Sequence, residues 1–212
     1  MALPKNVIDC YDKTAKNYAK KFLNELEHKH LDRILLKAFA EENKTKGKLI
    51  DFGCGPGQTT NFLFETGVND LIGTDISPKM ISEAKKINPA IKFEVADMLN
   101  LNYENSTFGS AIAFYAIVHF TMEQLLKAFM EINRILIPGG QFLFSFHVGT
   151  GTIHHDVFLD EKVNIDFYFF ETEKVIDLLK NNGFAIIDVI ERQPYKDVEY
   201  PSKRAYVWVS KK

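Results

Sequence analysis

LIDFGCGPGQTT, residues 49–60, runs an apolar stretch into three glycines at alternate positions, Gly53, Gly55 and Gly57. A strand that ends in such a loop brings bare backbone close to a ligand, because glycine tolerates φ > 0 and carries no side chain. The helix expected to begin near Gln58 turns unpaired N–H groups towards the same place, which favours a negative ligand group. Three ligands suit this arrangement: a dinucleotide pyrophosphate, a nucleotide triphosphate, or an adenosyl group that carries an amino acid. The dinucleotide pattern G-x-G-x-x-G calls for glycine where the chain has Gln58, and the phosphate-loop pattern G-x-x-x-x-G-K-[ST] is absent. The first two ligands lose ground.

Outward from the loop, short β-prone runs alternate with helical patterns. Strands are expected at 48–52, 71–75, 91–95, 109–114 and 141–146, with helices such as SPKMISEAKKI (77–87) and TMEQLLKAFMEINRIL (121–136) between them. The latter places Met122, Leu125, Leu126, Phe129, Ile132 and Leu136 on one face, and the IPGG that follows stops it. This rhythm implies right-handed βαβ crossovers and a parallel sheet. After a helix at about 171–182, FAIIDVIER (184–192) and RAYVWVSKK (204–212) follow one another without a helix, which predicts an antiparallel hairpin at one sheet edge. The stretch 147–170 is too long for an ordinary connection, and segments of that length are often functional. From Pro4 to Glu42 the chain reads helical, with Tyr11, Tyr18 and Phe22 at i, i+7 and i+11, before the polar breaker ENKTKGK (42–48). The expected organisation is a single domain, 1–212, in three parts: an N-terminal helical lid (1–46), a ligand-binding core (47–147), and an insertion with the terminal hairpin (148–212).

With 212 residues and 46% hydrophobic content, the chain is long enough to bury one sizeable core. Lys and Arg number 26 against 28 Asp and Glu, so no global basic field gathers nucleic acid, and a nucleic-acid partner is not expected. Cys10 and Cys54 form neither a disulfide framework nor a zinc spacing. Together with the lack of a leader-like N-terminus or a long apolar run, this fits a cytoplasmic protein that does not engage a membrane.

In an open parallel sheet, ligands sit beyond the carboxyl ends of the strands. Asp75 ends the second expected strand, 18 residues beyond Gly57, where a carboxylate accepts hydrogen bonds from both ribose hydroxyls. At the end of the third stands VADM, with Asp97 placed to accept from an exocyclic amine and Ala96 and Met98 to line an adenine edge. Ile76 and Met80 flank the ring or belong to the core. Successive strand ends thus trace one adenosine.

LIDFGCGPGQTT, IGTDISPKMISEAK, FEVADM, IAFYAIVHF and RILIPGGQFLFSF, in that order over roughly residues 47–147, resemble the motifs of class I S-adenosylmethionine-dependent methyltransferases, and most closely the small-molecule branch with an N-terminal helical lid. The resemblance implies a Rossmann-like, doubly wound, mostly parallel seven-stranded sheet with an antiparallel C-terminal hairpin. It implies S-adenosylmethionine as cofactor and S-adenosylhomocysteine as product. Carried over, Gly53, Gly55 and Gly57, with Cys54 and Gln58 in the same loop, face the amino-acid end of the cofactor. Asp75 falls on ribose, and Asp97 with Met98 on adenine. Asp51 orients the loop or the cofactor amine, and Phe114, Tyr115 and Tyr18 complete the expected cofactor set.

The expected activity is methyl transfer to an O or N atom of a small molecule, by a monomer or homodimer. A cofactor-binding protein without catalysis and a nucleic-acid methyltransferase are the alternatives. Against the latter, the fourth strand carries no NPPY-like run. Because transfer from a sulfonium needs mainly positioning, a base is required only for a protonated nucleophile. His119, just beyond the fourth strand, is the candidate base, with a structural role at the helix starting near Thr121 as its alternative. Tyr11, His147, Tyr168 and Arg192 are the further candidates for substrate contact. Of FYFF (167–170), one alternating pair belongs to the core and the other faces a pocket, and Arg192 and Arg204 either pair with Glu199 or hold an anionic group. His147, His154, His155 and Asp156 raise a metal site, but adjacent histidines on a loop rarely face one ion and no metal is expected.

Overall fold

The computed structural model describes residues 3–212. The N-terminal segment forms α1 (Lys5–Phe22), a single 3-10 turn at Glu25–Glu27, and α2 (His30–Asn43). The core follows as β1 (Leu49–Phe52), α3 (Gln58–Glu65), β2 (Leu71–Asp75), α4 (Pro78–Ile87), β3 (Lys92–Val95), β4 (Phe108–Phe114), α5 (Met122–Ile135) and β5 (Leu136–His147). A hairpin of β6 (Thr152–Phe158) and β7 (Glu161–Tyr168), α6 (Thr172–Asn181), β8 (Phe184–Arg192) and β9 (Arg204–Lys211) complete the chain.

Seven strands form one sheet in the order β3-β2-β1-β4-β5-β9-β8, and only β9 runs against its neighbours. Every residue of β1 and β2 is buried, as expected of strands covered on both faces. On one face α2, α3 and α4 contribute Leu36, Phe39, Leu63 and Ile81 to a cluster with Phe93 and Trp208; on the other, α5 and α6 pack Phe129, Ile132, Val175 and Leu179 against Phe142, Phe144 and Phe146. The chain is doubly wound, and the order reverses between β1 and β4, which opens a crevice at their carboxyl ends. Local signals fix the helix starts there. Ser77 accepts from the Met80 N–H at the head of α4, and Thr121 with Gln124 forms a capping box on α5.

Two elements differ from the sequence expectation. The 147–170 stretch is the antiparallel pair β6–β7 rather than an extended connection. In addition, α5 passes directly into β5 at Leu136, so the IPGG that ends the helix already lies within the strand. Among the described residues, no helix is long and apolar enough to cross a membrane.

Candidate functional site

The glycine loop leaves β1 with φ of 62° at Gly53, 54° at Gly55 and 89° at Gly57, a region open to glycine at little cost. A Cβ on Gly53 would lie 2.5 Å from the Ala116 Cβ, and one on Gly57 would lie 2.8 Å from both the Asn88 amide and the Phe93 ring. Gly57 therefore seats the start of α3 against its neighbours, whereas a Cβ on Gly55 would make ordinary contact with the Tyr18 ring at 3.6 Å, at the border of the cavities. Asp75 fixes the loop from the next strand. Its Oδ2 accepts from the Gly55 N–H at 3.0 Å and its Oδ1 from the Ser77 N–H at 2.9 Å. Burial nevertheless pushes this carboxyl up to about 6. Asp51, buried beneath the loop, accepts from the Thr60 hydroxyl at 2.6 Å and is pushed up to about 7 by burial, against that hydrogen bond, with the charge of Asp75 adding to the rise. The buried Cys54 thiol is driven well above its ordinary value, so it is an inert part of the loop.

A cleft of about 80 Å³ lies along these strand ends, lined by Gly53, Gly55, Asp75, Ile76, Met80, Ala96, Met98, Phe114 and Tyr115, and covered by Tyr11 and Tyr18 of α1. The residues present suit an adenosyl amino acid. A carboxylate stands beside an apolar slot, a glycine cradle adjoins it, and the buried Gln58 Oε1 in that cradle has no hydrogen-bond partner, which an ammonium would supply. Asp97 is the exception among the strand-end candidates. It does not line the cleft, and its Oδ1 accepts from the Leu99 N–H.

His119 lies at the inner wall of this cleft. Its Nδ1 is 2.7 Å from the Asp166 carbonyl, an acceptor only, so Nδ1 carries the proton. Nε2 then accepts from the Tyr11 hydroxyl at 2.7 Å. Burial drives the imidazole down to about 4, against the raising effect of Asp166. The ring joins α1 to β7 and has both nitrogens engaged, while α5 is capped by Thr121 without it.

A second cavity, of about 240 Å³, opens beside the first over the ends of β4, β5 and β9. Gly53, Gly55, Phe114, Tyr115, Tyr11 and Tyr18 border both. Tyr115 sits at the junction with φ of 55°, a conformation that costs a non-glycine residue of order 1–3 kcal/mol; Ser106, Leu159, Asp160 and Asp197 share positive φ but line neither cavity. The far wall comes from four separate segments: Lys29 before α2, His147 ending β5, Ile153, His155, Phe158 and Phe167 of the hairpin, and Glu199, Tyr200 and Arg204. Burial first, then the charges of Arg204 and Lys29, lower His147 to about 4.

The register sets His147 opposite Arg204 and Arg204 opposite Arg192 in a row across the sheet. Two cations in such a row repel unless an anion lies between them, and Glu199 fills that place. It accepts from Arg192 at 2.7 and 2.8 Å and pairs with Arg204 at 3.2 Å. Although burial opposes it, these contacts hold Glu199 below the usual carboxylate range. Arg192 also donates to Tyr206 and Asp32, so of the two arginines only Arg204 faces the cavity. Tyr168 is turned towards the core with Phe170, and Phe167 and Phe169 line the cavity instead. Among the described residues no group of three or more His, Cys, Asp or Glu is arranged to hold a metal ion; His154 pairs with Asp166 and Asp156 on the surface.

The family described as "Methyltransferase domain" matches residues 49–140. An uncharacterized protein of Methanocaldococcus jannaschii is 28% identical over an alignment of 204 positions that covers 84% of this chain and 75% of that one. The human "Probable tRNA methyltransferase 9B" is 28% identical over 139 residues, covering 65% of this chain and 28% of its own length. The Saccharomyces cerevisiae "tRNA (carboxymethyluridine(34)-5-O)-methyltransferase" is 38% identical over 98 residues, 44% of this chain and 33% of that one. Among solved structures, a Pyrococcus horikoshii protein superposes with a TM-score of 0.71 at 22% identity, covering 92% of this chain and 96% of that one. The magnesium protoporphyrin IX methyltransferase of Synechocystis, solved with its methyl donor bound, gives 0.74 at 16% identity over 100% and 99%. The chain has the class I S-adenosylmethionine-dependent methyltransferase fold, with methyl transfer as its activity and S-adenosylmethionine as its cofactor.

The same relatives correct one expectation. Nucleic acid is not excluded as a partner, because chains that share this core are named as tRNA methyltransferases. A net charge of −2 averages over the whole surface and leaves local patches unread.

Proposed function

We propose that the chain transfers a methyl group to an O or N atom of a small-molecule acceptor bound in the 240 Å³ cavity, while the neighbouring cleft holds the adenosine of the cofactor, whose amino-acid end reaches the border of the larger cavity beside Asp51 and Gln58. The observation that carries this reading is the shared border of the two spaces, at which Tyr115 is held in a strained conformation. The cofactor supplies an electrophilic methyl on a sulfonium. The chain supplies position: Asp75 takes the ribose hydroxyls, Ala96 and Met98 the adenine edge with Asp97 at its rim, and Asp51, Gln58 and the glycine loop the amino-acid end. Orientation of this kind is worth effective molarities of order 10⁵ M and above. On this reading residues 47–147 supply most of the cofactor site, with Tyr11 and Tyr18 over it, and Lys29 and residues 148–212 build most of the acceptor wall, joined by Phe114, Tyr115 and His147. His119 acts as a positioning residue, since both nitrogens are spoken for and the ring is neutral down to about 4.

The tRNA methyltransferases among the relatives favour a second reading, in which a nucleoside of an RNA enters the same cavity. Incubation of a cell extract with methyl-labelled cofactor, followed by separation of small molecules from RNA, tests both. Label in the small-molecule fraction supports the first reading, label confined to RNA replaces it with the second, and no transfer at all defeats both.

A further inference from the structure

We propose that the acceptor is a carboxylate, held by Lys29 and Arg204 and methylated on oxygen, an inference that rests on the methyl-transfer reading above. Both cations are buried, Lys29 at 8% and Arg204 at 3% exposure, and both line the acceptor cavity. They approach the same ring. The Lys29 Nζ lies 4.8 Å from the Tyr115 centroid and the Arg204 Cζ 5.9 Å from it.

Their donors are only partly used. Lys29 gives one hydrogen bond, to Glu25. Arg204 donates from Nη1 to the carbonyls of Tyr200 and Ser202, while its buried Nε is ion-paired with Glu199 at 3.2 Å but makes no hydrogen bond. A buried donor without a hydrogen bond is costly, and an anionic ligand can accept from it and from the remaining N–H groups of Lys29 together.

The acids of the same wall are mostly engaged. Glu25 accepts from Lys29 on one oxygen and from Gln58 on the other. Both Glu199 oxygens are taken by Arg192, and one also accepts from the Tyr195 N–H. Asp32 accepts from Tyr206 and Arg192 on Oδ1, and burial raises its pKa against the lowering effect of Lys29, Tyr206 and Arg192. His147 adds no charge, being neutral down to about 4. An ammonium acceptor would compete for carboxylates already bonded, whereas a carboxylate meets open donors.

The chemistry agrees with the lack of a free base. A carboxylate is deprotonated at neutral pH. Its oxygen forms the new bond to the methyl carbon, the carbon–sulfur bond breaks with its electron pair left on sulfur, and the two opposite charges cancel without a proton leaving.

Two experiments test this on the full chain. In the extract labelling, the product is treated with alkali, which releases labelled methanol from a methyl ester and leaves N-methyl and ether groups intact. Released methanol from the small-molecule fraction is the expected result. Release from the RNA fraction would keep the carboxylate and move it to a nucleoside; alkali-stable label would overturn the proposal while methyl transfer stands. No label would remove the reading beneath it.

The second experiment is calorimetry with adenosylhomocysteine bound, using a panel of small carboxylic acids and their primary amides. At least one acid should bind tenfold or more tighter than its amide, and Lys29→Met should lose that preference by tenfold or more. Lys29→Met is chosen because Arg204 also braces backbone carbonyls and its loss risks the fold. Equal binding of every acid and amide overturns the proposal. So does an equal loss of adenosylhomocysteine affinity in Lys29→Met, which would place that ammonium at the cofactor.

Discussion

Asp75→Asn separates what this carboxylate does for the cofactor from what it does to the fold. Burial raises its pKa from 3.8 to about 6, so at pH 8 its ionised form is held at a cost of about 3 kcal/mol relative to the neutral form. A group with a raised folded pKa contributes stability that is complete below the unfolded value and lost as pH rises through the folded one. Wild type should therefore lose stability between about pH 4 and pH 7 from this source, and the asparagine should not. Against the relief at pH 8 stands one hydrogen bond, because the amide can accept from Gly55 or Ser77 but not from both; an unsatisfied buried N–H costs about 1–3 kcal/mol. The two effects nearly cancel at pH 8, while at pH 4.5 only about 1 kcal/mol of the relief is present and the lost hydrogen bond dominates. Urea unfolding of both proteins at the two pH values should show the variant gaining on wild type by about 2 kcal/mol as pH rises. Adenosylhomocysteine affinity should move the other way and fall about tenfold or more, since hydrogen bonds to a charged group are worth about 1.5–3 kcal/mol. A stability difference independent of pH would refute the burial argument, and unchanged affinity would remove Asp75 from the ribose.

Three other outcomes follow from the same geometry. Gly53→Ala forces a Cβ within 2.5 Å of Ala116 at a φ of 62°, and calorimetry should show adenosylhomocysteine binding weakened by tenfold or more; wild-type affinity would mean that the loop yields freely. Tyr11→Phe removes the hydroxyl donated to His119 and should lower stability by about 1 kcal/mol, while the ring stays neutral above pH 5 by NMR; an imidazole that titrates near 6.5 in the variant would show that the hydroxyl rather than burial sets its state. His119→Gln should leave the shape of the pH–rate curve between pH 5.5 and 8 unchanged, because the histidine does not titrate there; loss of an acidic limb in the variant would restore the general-base role.

The sheet was legible because its signals are local. Glycines at 53, 55 and 57 demand a backbone that few other residues adopt, and a carboxylate at the end of β2 stands wherever the strand ends. The acceptor wall gave no comparable signal. Lys29, His147, Phe167 and Arg204 are far apart in sequence and meet only through the order of β4, β5 and β9 and the placement of the β6–β7 hairpin. The alternation in FYFF showed that two residues face one way and two the other. Which pair faces the cavity depends on the Tyr168 N–H donating to the Val118 carbonyl at 2.7 Å, a tertiary bond with no trace in the sequence. Arg192 and Arg204 looked equivalent for the same reason, and the Glu199 turn between them decides that only one reaches the cavity.

Two of the ties that hold the lid bear on the cofactor cleft. Asp12 of α1 accepts from the Ser77 hydroxyl and the Lys79 N–H at the head of α4, two residues from Asp75, and Tyr11 is bonded to His119. At about 1 kcal/mol for each bond, these ties contribute about 3 kcal/mol, to which the hydrogen bonds from Asn6, Lys13 and Asn17 to backbone carbonyls of the hairpin segment add. His119 also holds the Asp166 carbonyl of β7, so the helix that covers the cofactor and the hairpin that walls the acceptor share one anchor. A displacement of α1 therefore disturbs both cavities together. This coupling suits a transfer in which water must be kept from the two spaces until both are filled.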